Sequence, residues 1–121
     1  MRFLGPFQQV EVTPLFFTRC EAFILPSMYE EWGLVVNEAM ACETAVIVSK
    51  NVGCASDLVL DGVNGFLFDP TSEEQLLQAL EKFVMDTGLT KRLGTEGGKY
   101  IKDWGPARFA EGAMNAAAAA I

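Results

Sequence analysis

Apolar residues in this chain fall into two patterns that alternate along its length. Short, nearly unbroken apolar runs occupy Arg2 to Leu4, Ala22 to Leu25, Ala45 to Ser49 and Gly65 to Phe68. Continuous rather than alternating apolarity marks strands buried on both faces, as in parallel sheets. Between the runs the spacing turns helical. Thr13 to Cys20 predicts a short helix, with Pro14 in the first turn, where its missing N–H costs nothing. Gly33 to Cys42 predicts a second helix and Cys54 to Leu60 a turn or two of a third. Thr71-Ser72-Glu73-Glu74 reads as a capping box that opens a helix from Glu73 to Met85, with Leu76, Leu77, Leu80, Phe83 and Val84 on one face. A helix from Leu89 towards Tyr100 follows Gly88, weakened by Gly94, Gly97 and Gly98. The alanine-rich stretch that starts at Pro106 and runs to about Ala119 is strongly helix-prone. Strands alternating with helices predict an α/β fold, three layers with a short, mostly parallel sheet of about four strands.

Composition narrows the function classes. A chain of 121 residues is one domain, 1–121, able to bury about 65% of its unfolded surface. Half of its residues are apolar, enough for a core. A net charge of −7 with nine Lys and Arg argues against a nucleic-acid partner. Three cysteines and no histidine make a disulfide framework or a zinc site a poor fit, and no metal or cofactor is expected. No apolar stretch reaches the roughly 20 residues that span a bilayer, so no transmembrane segment is expected. The start lacks the long apolar core of a secretion signal, and the expected location is the cytoplasm.

The chemistry concentrates in Pro26 to Ala41. Glu30 and Glu38 stand there with seven residues between them. An apolar strand runs into a Pro-Ser turn, and Gly33 then opens an amphipathic helix. One carboxylate therefore sits on the loop at a strand's carboxyl end and the other about a turn into the next helix. The N–H groups of Gly33, Leu34 and Val35, free of helical partners, lie between them. In open α/β sheets small molecules bind at that place, with anionic groups on the helix N-terminus. An ionised carboxylate only accepts hydrogen bonds, which suits the hydroxyls of sugars and riboses. The plainer alternatives are an ordinary strand–loop–helix turn, a solvated Glu38 and an exposed loop Glu30.

The same run resembles the signature of retaining GT-B glycosyltransferases of the group 1 family, roughly PS-x-x-E-G-F-G-x-x-x-x-E-A-M-A-C-G-T-P-V-I. Glu30, Trp32, Gly33, Glu38, Ala39, Met40, Ala41, Cys42, Thr44, Val46 and Ile47 fall on that pattern. Asp61-Gly62-Val63-Asn64-Gly65-Phe66 resembles the family's D-G-x-N-G segment, and Phe3-Leu4-Gly5 its "FLG" strand end. The resemblance implies a Rossmann-like donor-binding half. Gly33, Leu34 and Val35 would hold the diphosphate of a nucleotide sugar, Glu38 would engage the ribose, and Glu30 would be catalytic, facing the transferred sugar. By the same analogy Trp32 packs the loop.

Departures from the pattern matter as much. Glu31 replaces a small residue, Cys54 the second of two glycines, and Glu43 and Ala45 a Gly and a Pro. No basic residue lies between Arg19 and Lys50. The resemblance covers only the later part of the family's second domain, so the chain is expected to be a truncated donor domain, inactive alone and weak in nucleotide-sugar binding. Whether it is an enzyme stays open; a non-catalytic nucleotide-sugar-binding or oligomerising module is the alternative. Two strands of the family's sheet have no counterpart here, which predicts a homodimer across the exposed side. A separate chain supplying the missing half is the other candidate partner.

Overall fold

The computed structural model describes residues 17–119. Three strands form one parallel sheet in the order β1 (Ala22–Leu25), β2 (Ala45–Ser49), β3 (Gly65–Phe68). Helix α1 (Leu34–Ala41) joins β1 to β2, and the short α2 (Ala55–Leu58) joins β2 to β3. Helices α3 (Glu73–Met85), α4 (Leu89–Ile101) and α5 (Pro106–Ala119) follow. Ala22 pairs with Ala45, and Val46 with Gly65. The expected α/β fold with a short parallel sheet is what forms. The expected strand at Arg2–Leu4 and the first half of the expected helix at Thr13–Cys20 lie outside the described residues. Among the described residues no helix is long and apolar enough to cross a membrane.

β2 is buried at every position, the reason its apolar run is unbroken. Val46 and Val48 pack with Val36, Ala39, Met40 and Leu58 on one side of the sheet. Ala45 and Ile47 pack with Phe66, Phe68, Ala79 and Leu93 on the other. Helix α4 serves both clusters, with Leu89 and Leu93 in one and Tyr100 and Ile101 in the other.

Local signals set most helix bounds. Ser72 caps α3, its hydroxyl accepting from the Gln75 N–H at 3.2 Å. The Gln75 side chain accepts from the Asp69 N–H at 2.8 Å rather than closing back on the cap. The face expected for α3 needs correction. Leu76, Leu80 and Phe83 pack inward around buried Ala79, but Leu77 and Val84 are 55% and 77% exposed. A helix at the border of a three-stranded sheet has only one narrow stripe covered, and these two positions fall outside it.

The α4 glycines also play a different part from the one expected. Gly94, Gly97 and Gly98 are all buried. A Cβ on Gly94 would stand 2.1 Å from the Glu43 carbonyl oxygen, and one on Gly98 2.7 Å from the Glu43 side chain. Their cost in helix propensity, about 1 kcal/mol each relative to alanine, is what lets α4 cross the start of β2 at backbone distance. Glu43 itself holds φ at 57°, in the left-handed region. Thr44 N–H donates to Ala39 and Glu43 N–H to Met40, both at 3.0 Å. That is a Schellman ending, with a glutamate where glycine is usual.

Candidate functional site

β1 ends at Leu25, and the chain loops through Glu30 to Gly33 before α1 begins. The loop lies along the segment that leaves β2. Glu30 and Val52 form an isolated parallel bridge. Gly53 N–H donates to the Glu30 carbonyl and Cys54 N–H to the Trp32 carbonyl, both at 2.9 Å. The Asn51 amide reaches the Met28 carbonyl at 3.1 Å, and the Cys54 thiol the Gly33 carbonyl at 3.8 Å. Two glycines make this contact possible. A Cβ on Gly53 would fall 1.8 Å from the Glu31 carbonyl oxygen. Gly33 takes φ 87°, and a Cβ there would meet Val52 at 2.7 Å.

Against this brace the expected residues take their places. Glu30 is exposed on the loop, its Oε1 3.5 Å from the Ser27 hydroxyl. Gly33 caps α1 without a side-chain hydrogen bond, and its carbonyl takes the first helical bond, from Val36 N–H at 2.9 Å. The N–H groups of Gly33, Leu34 and Val35 therefore precede the first helical bond, as the spacing required. Glu38 is half-buried one turn on, and its Oε2 is buried with no hydrogen-bond partner among the described residues. No hydrogen bond joins the two glutamates. Glu38 also makes itself felt on Cys42, whose thiol is pushed up first by burial and then by the Glu38 charge. Trp32 is half-buried, packs on the core and donates from Nε1 to Asn37 Oδ1 at 3.0 Å.

The glutamates and the glycine between them are legible in the sequence because strand, turn and helix are local. No cation near them is legible there. The structure brings Arg108 of α5 into a cleft shared with Trp32 and Leu34, a contact across more than seventy residues that no spacing rule reports. Cys54, a departure in the sequence, is fully buried against the loop. Among the described residues no group of three or more His, Cys, Asp or Glu could hold a metal ion.

Known proteins resemble this chain in sequence and in fold. The family model for glycosyl transferases group 1 matches residues 2–100. An uncharacterised glycosyltransferase of Methanocaldococcus jannaschii is 32% identical over 87 residues, 72% of this chain and 24% of that protein. Alpha-maltose-1-phosphate synthase of Mycobacterium tuberculosis is 37% identical over 81 residues, 62% of this chain and 21% of its own length. Sucrose-phosphate synthase from Thermosynechococcus elongatus superposes with a TM-score of 0.80 at 27% identity, over 98% of this chain and 30% of that one. An Anabaena protein, HepE, solved with UDP-glucose, superposes at 0.74 and 29% identity over 84% of this chain and 27% of its own. The chain thus spans about a quarter of these relatives, and it belongs to the group 1 glycosyl transferase family.

Proposed function

We propose that the loop from Glu30 to Glu38 is the donor side of a retaining glycosyl-transfer site. One observation carries the reading: a braced loop delivers the free N–H groups of Gly33, Leu34 and Val35 between an exposed carboxylate and a half-buried one with an unpaired oxygen. An unpaired buried carboxylate oxygen costs about 1–3 kcal/mol or more. A ribose hydroxyl reaching Glu38 after a small side-chain rotation relieves it. The diphosphate lies on the helix N-terminus, and Glu30 meets the transferred sugar, favouring positive charge at its anomeric carbon. The Anabaena neighbour holding UDP-glucose supports the ligand class.

Affinity is weak in this reading, because the protein is net negative. A dissociation constant on the order of millimolar, about −4 kcal/mol, is expected. Titrating the labelled chain with UDP-glucose tests it: the amide resonances of Gly33, Leu34, Val35 and Glu38 move together and saturate. No movement at several times that concentration defeats the reading. The chain alone does not turn over, since a leaving diphosphate needs positioned cations beside these N–H groups and no basic residue lies between Arg19 and Lys50. Multiple-turnover glycosylation that disappears in Glu30→Ala would contradict that.

The edge of β1 supports an assembly reading as well. Among the described residues β1 pairs only with β2, and its Ile24 is 36% exposed. An apolar strand edge left unpaired recruits another strand, and a two-fold homodimer is the commonest solution. Light scattering at tens of micromolar is expected to give twice the 13.2 kDa chain mass. A particle of the single-chain mass rules the dimer out.

A further inference from the structure

The cleft that Arg108 shares with Trp32 and Leu34 is about 1230 Å³ in volume. It exceeds the roughly 300–1,000 Å³ usual for small-molecule sites. Leu34 and Asn37 of α1 form one wall, and Asp103, Trp104 and Arg108 at the α4–α5 junction form another. Neither Glu30 nor Glu38 lines it. The chain has two tryptophans, and both stand here, ring centroids 6.4 Å apart and tilted by 44°. Tyr100 lies 6.5 Å from Trp104, and the Arg108 guanidinium sits 4.3 Å over the Trp104 ring.

Hydrogen-bonding capacity around these rings is unspent. The Trp104 indole N–H is buried without a partner among the described residues, and an indole can only donate. Asn37 Oδ1 accepts from Trp32, which leaves the Asn37 NH₂ group unpaired among the described residues. Arg108 forms no ion pair among them. Asp57, Asp103 and Glu111 also line the cleft, and an ionised carboxylate can only accept. An apolar ligand would bury all of these groups unpaired, and a simple anion would meet three carboxylates. A sugar ring satisfies both sets, because each hydroxyl donates and accepts while the C–H faces lie on aromatic rings.

We propose that this cleft binds a neutral saccharide, on the flank of the donor loop turned away from Glu30 and Glu38. Asp57 and Asp103 accept from sugar hydroxyls, and Asn37 and Arg108 donate to them. Trp104 N–H gains an acceptor once the Arg108 stack shifts to admit the ring. The volume accommodates an oligosaccharide rather than a single sugar. Trp32, Leu34 and Asn37 are shared with the donor loop, but Asp57, Asp103, Trp104 and Arg108 are not, and the proposal does not depend on the donor reading.

Because both tryptophans flank the cleft, their two indole N–H resonances report occupancy directly. Maltotriose added to the labelled 121-residue chain is expected to shift both indole signals saturably. The Gly33 and Glu38 amides stay in place, and UDP leaves the indoles unmoved. Asp103→Asn, on the rim, keeps the fold by its amide spectrum and weakens maltotriose binding about tenfold, the loss of one hydrogen bond to a charged group. Trp104→Phe removes the effect altogether. Indoles unmoved by tens of millimolar maltotriose overturn the proposal. So does a maltotriose response at Gly33 and Glu38 that survives Asp103→Asn, which places the sugar on the donor loop. UDP moving the indoles as strongly as maltotriose makes the cleft a nucleotide site and also overturns it.

Discussion

The two ends of the sheet are built with the same device and leave opposite results. At the carboxyl end Gly53 lets its strand-exit segment touch the Glu31 carbonyl. At the amino end Gly94 lets α4 touch the Glu43 carbonyl. Around Glu43 the backbone groups of the helix ending are spent: it is closed by two backbone bonds, and the Thr44 hydroxyl donates to the Phe17 carbonyl at 2.7 Å. Around Glu31 the brace is just as close, yet the start of α1 and Glu38 Oε2 remain unpaired. Close packing of backbone on backbone is therefore common to both ends. Unspent hydrogen-bonding capacity on a rigid support separates the candidate site from the scaffold.

Substitutions at the paired glycines test that contrast most severely. Gly94→Val drives a branched side chain into a backbone carbonyl that helix packing holds in place, and a loss of about 3 kcal/mol is expected. Urea midpoints at unchanged slope measure it. Gly53→Ala adds one methyl group rather than a branched side chain, so a smaller loss of about 1–2 kcal/mol is expected. It is nevertheless the variant that abolishes UDP-glucose shifts at Gly33. Equal effects of the two on stability and binding would erase the distinction between the ends. Glu38→Gln is next: the nucleotide response weakens about tenfold while the urea midpoint holds or rises, because a charge with a buried unpaired oxygen has been removed. A falling midpoint with binding intact would mean that Glu38 serves the fold.

Glu43→Gly sharpens the comparison from the scaffold side. The left-handed backbone at Glu43 costs an L-residue about 1–2 kcal/mol, and part of that returns with glycine, less its own chain entropy. A gain of about 1 kcal/mol without change in ligand binding is expected; destabilisation would show that Glu43 packing over Gly98 outweighs the strain. The smallest effect is one of pH. Burial of Cys54, with Asp57 adding to it, pushes the thiol up to about 11 from 9.0. A group raised in the folded state contributes stability that is complete below its unfolded value. That contribution disappears as pH climbs through the folded one. Stability should therefore fall between pH 9 and 11 more steeply in the wild type than in Cys54→Ala, read as urea midpoints across that window. Parallel curves would detach Cys54 from the brace on Gly33.

Much of this was open to reading in the chain itself. Continuous apolar runs placed β1, β2 and β3, because a strand covered on both faces needs apolar residues at every position. Ser72 and the run to Met85 set α3, and Pro106 set the start of α5, because caps and propensities act within a turn. The positions of Glu30, Gly33 and Glu38 followed from a strand, a turn and a helix in succession. Which helix faces were covered did not follow: Leu77 and Val84 share the apolar spacing of α3 and still face solvent. The uses of Gly53, Gly94 and Gly98, and the meeting of Trp32 with Trp104 and Arg108, also came only with the tertiary structure. Each is a contact between segments far apart in sequence. Such contacts depend on where whole elements come to rest, which local hydrogen bonding and hydrophobic period leave undetermined.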